Sequence, residues 1–158
     1  MIDSLDSINL NFKGSFANVF KKPELIQPFL TKRSNKFDEI IKKEFLRRKL
    51  ETDFAIVALG GYGRKELFPS SDIDLSIIQF NAKTKKIEDI KDFIGWLWTL
   101  KVKVGHSVRT IKDIEKITKS DLKEFTSYLS YRIIFCKKDK IVSLNDDLKK
   151  VSKKMEQN

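Results

Sequence analysis

The chain has 158 residues, of which 41% are hydrophobic and twelve are phenylalanine, so it can bury a core of one-domain size and is not disordered by composition. No apolar run reaches membrane-spanning length and no signal-peptide pattern opens the chain, which leads to the expectation of a cytoplasmic protein without membrane contact; a single cysteine, Cys136, excludes an intramolecular disulfide. The net charge of +10 comes from lysines spread along the whole chain, without the aromatic–basic pattern of a single-strand binder, so it does not favour nucleic acid and equally suits a phosphate-bearing ligand or an acidic protein.

Residues 1–22 show no sustained period and read as a loosely packed segment; one domain is expected over 23–158, with its core in 50–135. Residues 23–50 read as helix, with Phe37, Ile40, Ile41, Phe45 and Leu46 forming an apolar stripe between basic residues. Phe54–Leu59 (FAIVAL) is a continuous apolar run with β-branched members and reads as a strand buried on both faces. It stops at Gly60–Gly61, and YGRKEL (62–67) reads as a short helical turn. Pro69, Ser70 and Ser71 close the excursion before a second strand, DIDLSII (72–78).

A helix at about 85–100 is expected to bury Ile87, Ile90, Ile94, Leu97 and Trp98; Trp96 and Trp98 cannot face one way on it, so at most one is core. Val102 and Val104 alternate with Lys101 and Lys103, which suits a third strand to about Arg109, with a bulge or bend at Gly105–His106. Thr110-x-x-Asp113 and Asp121-x-x-Glu124 have the form of capping boxes opening two helices. Cys136, in RIIFCKK, reads as a small buried apolar residue. Ser143-x-x-Asp146 is expected to open a last helix carrying Leu144, Leu148, Val151 and Met155. The predicted class is α/β (α+β): a small mixed sheet packed with helices.

The chemistry gathers in LGGYGRKELFPSSDIDL (59–75). Side chains two apart on a strand share a face, so Asp72 and Asp74 project together while Ile73 and Leu75 turn to the core. Adjacent carboxylates repel unless a cation lies between them, and Mg2+ is the hard ion that takes one or two carboxylates together with phosphate oxygens. Glycine at 60–61 permits positive φ and lets a phosphate approach the backbone. Either feature alone is readily structural, a tight turn or a solvated strand face. Their coupling at ten residues' separation points to a nucleoside triphosphate site.

A strand ending in GG, about ten residues, then D-h-D at the next strand resembles the nucleotidyltransferase superfamily that includes the β-type DNA polymerases. The string GGYGR-x-EL-x-P-x-SDIDL is more particular. It is similar to the N-terminal nucleotidyltransferase domain of bacterial PII uridylyltransferase/uridylyl-removing enzymes, as is LWTLKVKVGHSVRT (97–110). The resemblance covers roughly residues 50–135. It implies a polymerase-β-like fold and, in nitrogen regulation, transfer of UMP from UTP to a tyrosine of a PII-type signal protein with release of pyrophosphate. It further implies that Gly60 and Gly61 contact phosphate, that Asp72 and Asp74 bind Mg2+ and are catalytic, and that Arg64, Ser71 and Arg109 are nucleotide-binding candidates. Arg109 is equally open to pairing with an acid such as Asp74 or Asp113, and His106 to a structural hydrogen bond or a catalytic role.

Two positions depart from the pattern, in which acids are expected near Thr99 and Lys103; no Asp or Glu occurs between Asp92 and Asp113. In the wider superfamily a third carboxylate helps hold the metal and deprotonate the acceptor. A catalytically degenerate nucleotide-binding or regulatory module is therefore an alternative, as is transfer to another acceptor. His106 is the only histidine, so no uridylyl-removing centre is expected from this chain.

Overall fold

The computed structural model describes residues 17–153; most of the N-terminal segment expected to pack loosely, and Met155, lie outside them. A 3-10 turn, Pro23–Leu25, leads into α1, Ile26–Arg47. Pro28 is tolerated because it sits in the first turn, where the missing N–H has no carbonyl to meet. Then follow β1 (Phe54–Ala58), the single turn α2 (Gly60–Gly63), β2 (Ile73–Gln79), α3 (Ile87–Leu97) and β3 (Val104–Arg109). The chain continues through α4 (Ile111–Ser120), α5 (Leu122–Tyr128), β4 (Arg132–Phe135) and α6 (Ile141–Lys153).

The four strands form one mixed sheet in the order β3-β2-β1-β4. β1 is antiparallel to both β2 and β4, and β2 is parallel to β3. Alternation along β1 sends Phe54, Ile56 and Ala58 to one face, where they meet Phe37, Ile41 and Phe45 of α1 and Ile90, Phe93 and Leu97 of α3. Ala55, Val57 and Leu59 face the other way, onto Ile114, Tyr128, Leu144, Leu148 and Val151 of α4, α5 and α6. The sheet is thus the middle of three layers, and β1 is buried on both faces as its unbroken apolar run requires. No helix of the described residues is long and apolar enough to cross a membrane.

Several expectations are corrected in detail. The helical turn begins at Gly60, two residues before the expected start at Tyr62, and ends at Gly63; Lys65, with φ +59°, carries the chain away from it. In α3 the buried stripe is Ile90, Phe93 and Leu97; Ile87 opens the helix and is 42% exposed, and Trp98, more than a quarter of a turn around from Leu97, is 64% exposed against His106. Trp96 packs instead on Phe93. There is no bulge at Gly105–His106, because the β2–β3 ladder is regular from Ile73↔Val104 to Ile78↔Arg109. Ser143 does not cap α6: the turn closed by the Lys140 and Ile141 N–H groups on the Lys137 carbonyl starts the helix at Ile141. β4 is an addition, a four-residue edge strand shifted in register opposite Ile56 and Val57. Cys136, directly after it, is buried as expected, and burial pushes its thiol up.

One contact fixes where the glycine turn can lie. A Cβ built on Gly63 would stand 1.9 Å from the Ser130 carbonyl oxygen and 3.0 Å from that of Ala58, so the backbone approaches what only a missing side chain allows. Both neighbours are backbone and cannot swing aside. Gly63→Ala is expected to lower stability by about 3 kcal/mol or more, toward the upper end of overpacking costs, and urea denaturation of the two proteins checks it.

Candidate active site

β1 delivers the chain to Leu59, whose N–H donates to the Asp74 carbonyl oxygen at 3.0 Å; the next residue, Gly60, turns with φ +55°. Glycine turn and carboxylate strand are therefore joined backbone to backbone. The first N–H groups of the turn have no carbonyl within it to donate to, and they open at the end of the sheet where Asp72 and Asp74 stand. A Cβ on Gly60 would lie 3.8 Å from Asp74 Oδ2. The Gly63 and Arg64 N–H groups are used internally, on the Leu59 and Gly60 carbonyls.

Asp74 is exposed and faces away from the α1–α3 core that buries Ile73 and Leu75 on either side of it, the alternation read from the sequence. Its partner across the ladder is Gly105, where a Cβ would stand 2.6 Å from Asp74 Oδ1. Glycine at 105 thus makes room for the carboxylate itself. Burial first, and the neighbouring Asp72 second, push the Asp74 carboxyl above the ordinary carboxylate range, against the weaker pull of Lys123 and Lys103.

Lys103 faces this site. Its carbonyl accepts from the Ile73 N–H at 2.9 Å, and its ammonium lies 3.2 Å from Asp72 Oδ2. By alternation Lys103, Gly105, Ser107 and Arg109 share the face of Asp74, so no acid from β3 joins the pair. His106 points to the opposite face and packs on Trp98, with ring centroids 5.7 Å apart. Among the described residues no group of three or more His, Cys, Asp or Glu side chains converges. The donor set is two carboxylates, which suits one hard divalent ion completed by phosphate oxygens.

The other candidates divide. Ser71 immediately precedes the pair, its N–H on the Phe68 carbonyl. Arg64 lies over Gly61, where a Cβ would be 3.8 Å from its Nη2, and is held by Glu66 at 2.8 Å and the Ser130 hydroxyl at 3.2 Å, all exposed. Arg109 is at the far end of β3, opposite Ile78, four residues along from Gly105. Its guanidinium is bidentate on Glu124, at 2.6 and 3.2 Å, so it pairs with an acid other than the two considered. That bond also explains a half-formed capping box. Asp121 accepts from the Lys123 and Glu124 N–H groups, but Glu124 turns to Arg109 instead of back to Asp121; Thr110–Asp113 is complete.

Sequence reasoning missed the residues that hold the turn in place. Tyr62 donates its hydroxyl to Asp38 at 2.6 Å, and Arg132 donates to both Asp38 oxygens and to the Gly63 and Tyr62 carbonyls. Arg132 lies in the unforeseen β4, and Asp38 sits on α1 among Ser34, Asn35 and Lys42. Neither carried a local signal.

A family model described as a nucleotidyltransferase domain matches residues 39–154, which include α2, the carboxylate strand and β3. The chain belongs to this nucleotidyltransferase family. Members generally use a divalent metal ion and a nucleoside triphosphate, for which the two-carboxylate donor set and the glycine turn are suited. Bifunctional uridylyltransferase/uridylyl-removing enzymes are similar to it. That of Cupriavidus metallidurans is 35% identical over 120 residues, 75% of this chain and 14% of that protein. That of Pseudoalteromonas translucida is 35% identical over 136 residues, 84% of this chain and 15% of that protein. That of Vibrio parahaemolyticus is 39% identical over 93 residues, 58% of this chain and 11% of that protein. The chain therefore matches only 11–15% of the length of these relatives.

Two outcomes follow from the geometry. Gly105→Ala crowds the Asp74 carboxylate from an exposed edge strand, so the fold is expected to persist while affinity for a divalent metal–nucleoside triphosphate complex falls by at least about tenfold, as for loss of a group that orients a ligand; isothermal titration and circular dichroism check the two halves. Because its carboxyl is held high, ionising Asp74 costs the fold stability as pH rises from the unfolded pKa to the raised folded one. Asp74→Asn removes that cost. In the presence of chelator the variant should melt about 2 °C above the parent at about pH 7, small because the carboxylate still meets water, and the difference should vanish toward about pH 3.5.

Proposed function

We propose that this chain is a Mg2+-dependent nucleotidyltransferase domain that transfers UMP from UTP to a tyrosine hydroxyl of a PII-type signal protein. The observation that carries the reading is Asp74 seated between Gly60 and Gly105, with Asp72 just before the strand and near enough for its charge to act on Asp74. Two carboxylates and a glycine turn meet there, as metal-assisted transfer from a triphosphate requires. The base and the acceptor rest on the printed name of the relatives and on the GGYGR-x-EL-x-P-x-SDIDL and VGHSVR strings.

Asp72 and Asp74 hold the metal, and Gly60 and Gly61 orient the triphosphate through their N–H groups, with Arg64 and Ser71 alongside. Bound Mg2+ supplies charge neutralisation at the α-phosphoryl group and at the pyrophosphate. The acceptor oxygen attacks the α-phosphorus in line, the bond from that phosphorus to the bridging oxygen breaks, and pyrophosphate leaves. The proton lost by the hydroxyl passes to a base that β3 does not provide, since Lys103, Gly105 and Ser107 stand where an acid would be needed. That same absence favours a second reading, a module that binds nucleotide without chemistry.

Intact-mass measurement of a PII-type protein incubated with the chain, UTP and Mg2+ separates them. A UMP-sized increase is expected, reduced at least about a hundredfold in rate by Asp72→Asn or Asp74→Asn, because each removes several kcal/mol of metal-borne stabilisation. UTP binding without any mass increase supports the module instead. Undiminished transfer by both variants overturns the site.

A further inference from the structure

The cation nearest the paired carboxylates belongs to the chain itself. Lys103 is anchored at its root by the Ile73 N–H on its carbonyl, which fixes the face from which its side chain departs. Its ammonium stands 3.2 Å from Asp72 Oδ2, yet the side chain is 83% exposed, so little but that one carboxylate detains it. Two residues on, Gly105 presents no side chain, which leaves the Asp74 carboxylate open on the same flank. A divalent ion entering between Asp72 and Asp74 meets an ammonium at contact range, and a triphosphate entering with it offers that ammonium an oxygen. Lysine suits such an exchange, as a point charge on a flexible stem with three rotatable donors.

Resting on the nucleotide site proposed above, we propose that Lys103 is a built-in cation of that site. It neutralises Asp72 while the site is empty and moves to a phosphate oxygen of the bound triphosphate, so that the carboxylate pair takes a single divalent ion and takes it together with the nucleotide. The ammonium thereby weakens the bare ion and strengthens the metal-free nucleotide. These opposite signs distinguish the role from that of an ordinary exposed ion pair, which moves neither by much.

The test uses the full chain with Lys103→Met, Lys103→Glu and, as a control for net charge alone, Lys83→Met in the turn that follows the opposite end of β2. Mn2+ binding without nucleotide is followed by electron paramagnetic resonance, and UTP binding by calorimetry in chelator and again with Mn2+. Lys103→Met is expected to bind bare Mn2+ about tenfold more tightly and metal-free UTP about tenfold more weakly, from the repulsion and attraction of one charge at contact range. Lys103→Glu should move both further in the same senses, and Lys83→Met should move each by no more than about twofold. Equal affinities for the parent and Lys103→Met, or changes of one sign in both, overturn the proposal, as does a parent that binds UTP only when Mn2+ is present. If the parent binds Mn2+–UTP in those cases, the nucleotide site stands and only the role of Lys103 falls. No binding of Mn2+–UTP by any of the proteins removes both.

Discussion

The glycine turn is held by a half-buried charge pair, and the geometry of the site follows from that restraint. Arg132 reaches from β4 to Asp38 on α1 and, with its remaining donors, to the Gly63 and Tyr62 carbonyls; Tyr62 completes the ring by donating to Asp38. A turn with three glycines in four residues carries a large conformational entropy, which isolated local bonds do not offset. The clamp supplies carbonyl partners from outside the turn, and the Ser130 carbonyl pressed against Gly63 leaves the backbone no second position. Charge-assisted bonds in a half-buried setting are among the stronger ones available to a chain, which fits them to this task.

The mixed sheet then decides what the turn meets. β1 runs antiparallel to β2, so the end of one lies beside the start of the other, and Leu59 bonds to Asp74. β3 runs parallel to β2, so its start falls at the same end, and Lys103 and Gly105 arrive beside Asp72 and Asp74. Three segments far apart in sequence thus converge on one rim. Had β1 and β2 been parallel, the glycines and the carboxylates would lie at opposite ends of the sheet.

Those parts of the structure that depend on periodicity and adjacency were legible beforehand. The run Phe54–Leu59, the exposure of Asp74 between buried Ile73 and Leu75, the α1 stripe and the Thr110–Asp113 box each have a local cause, and each is present. The family likeness was legible in the same stretch. What escaped was set by partners distant in sequence. β4 is too short for a periodic signal and exists because β1 offers it an edge. Glu124 has the local pattern of a reciprocal cap but is drawn away by Arg109, which approaches only once β3 lies beneath α5. Gly105 suggested a bend, whereas its reason is the carboxylate opposite. Lys103 shows the limit most plainly: alternation allows either face, and only the ladder settles which.

Burial separates the two arginines that charge and position had singled out. Arg64 and Glu66 keep 50% and 39% of their side-chain surface, and solvent-exposed pairs of that kind contribute about 0–1 kcal/mol, so an arriving phosphate can recruit the guanidinium at little cost. Arg109 and Glu124 keep only 21% and 30% of their side-chain surface and bond in two places, next to the buried Ser76–Tyr128 hydroxyl pair. Taking one partner away from such a pair leaves an uncompensated charge, a cost of about 3 kcal/mol or more where burial is deep, and part of that here. One face of the sheet is therefore divided along its length. Its far end is closed by neutralised charge and continues the core, while its near end keeps lysines, a loosely held arginine and two carboxylates where a ligand can change their partners.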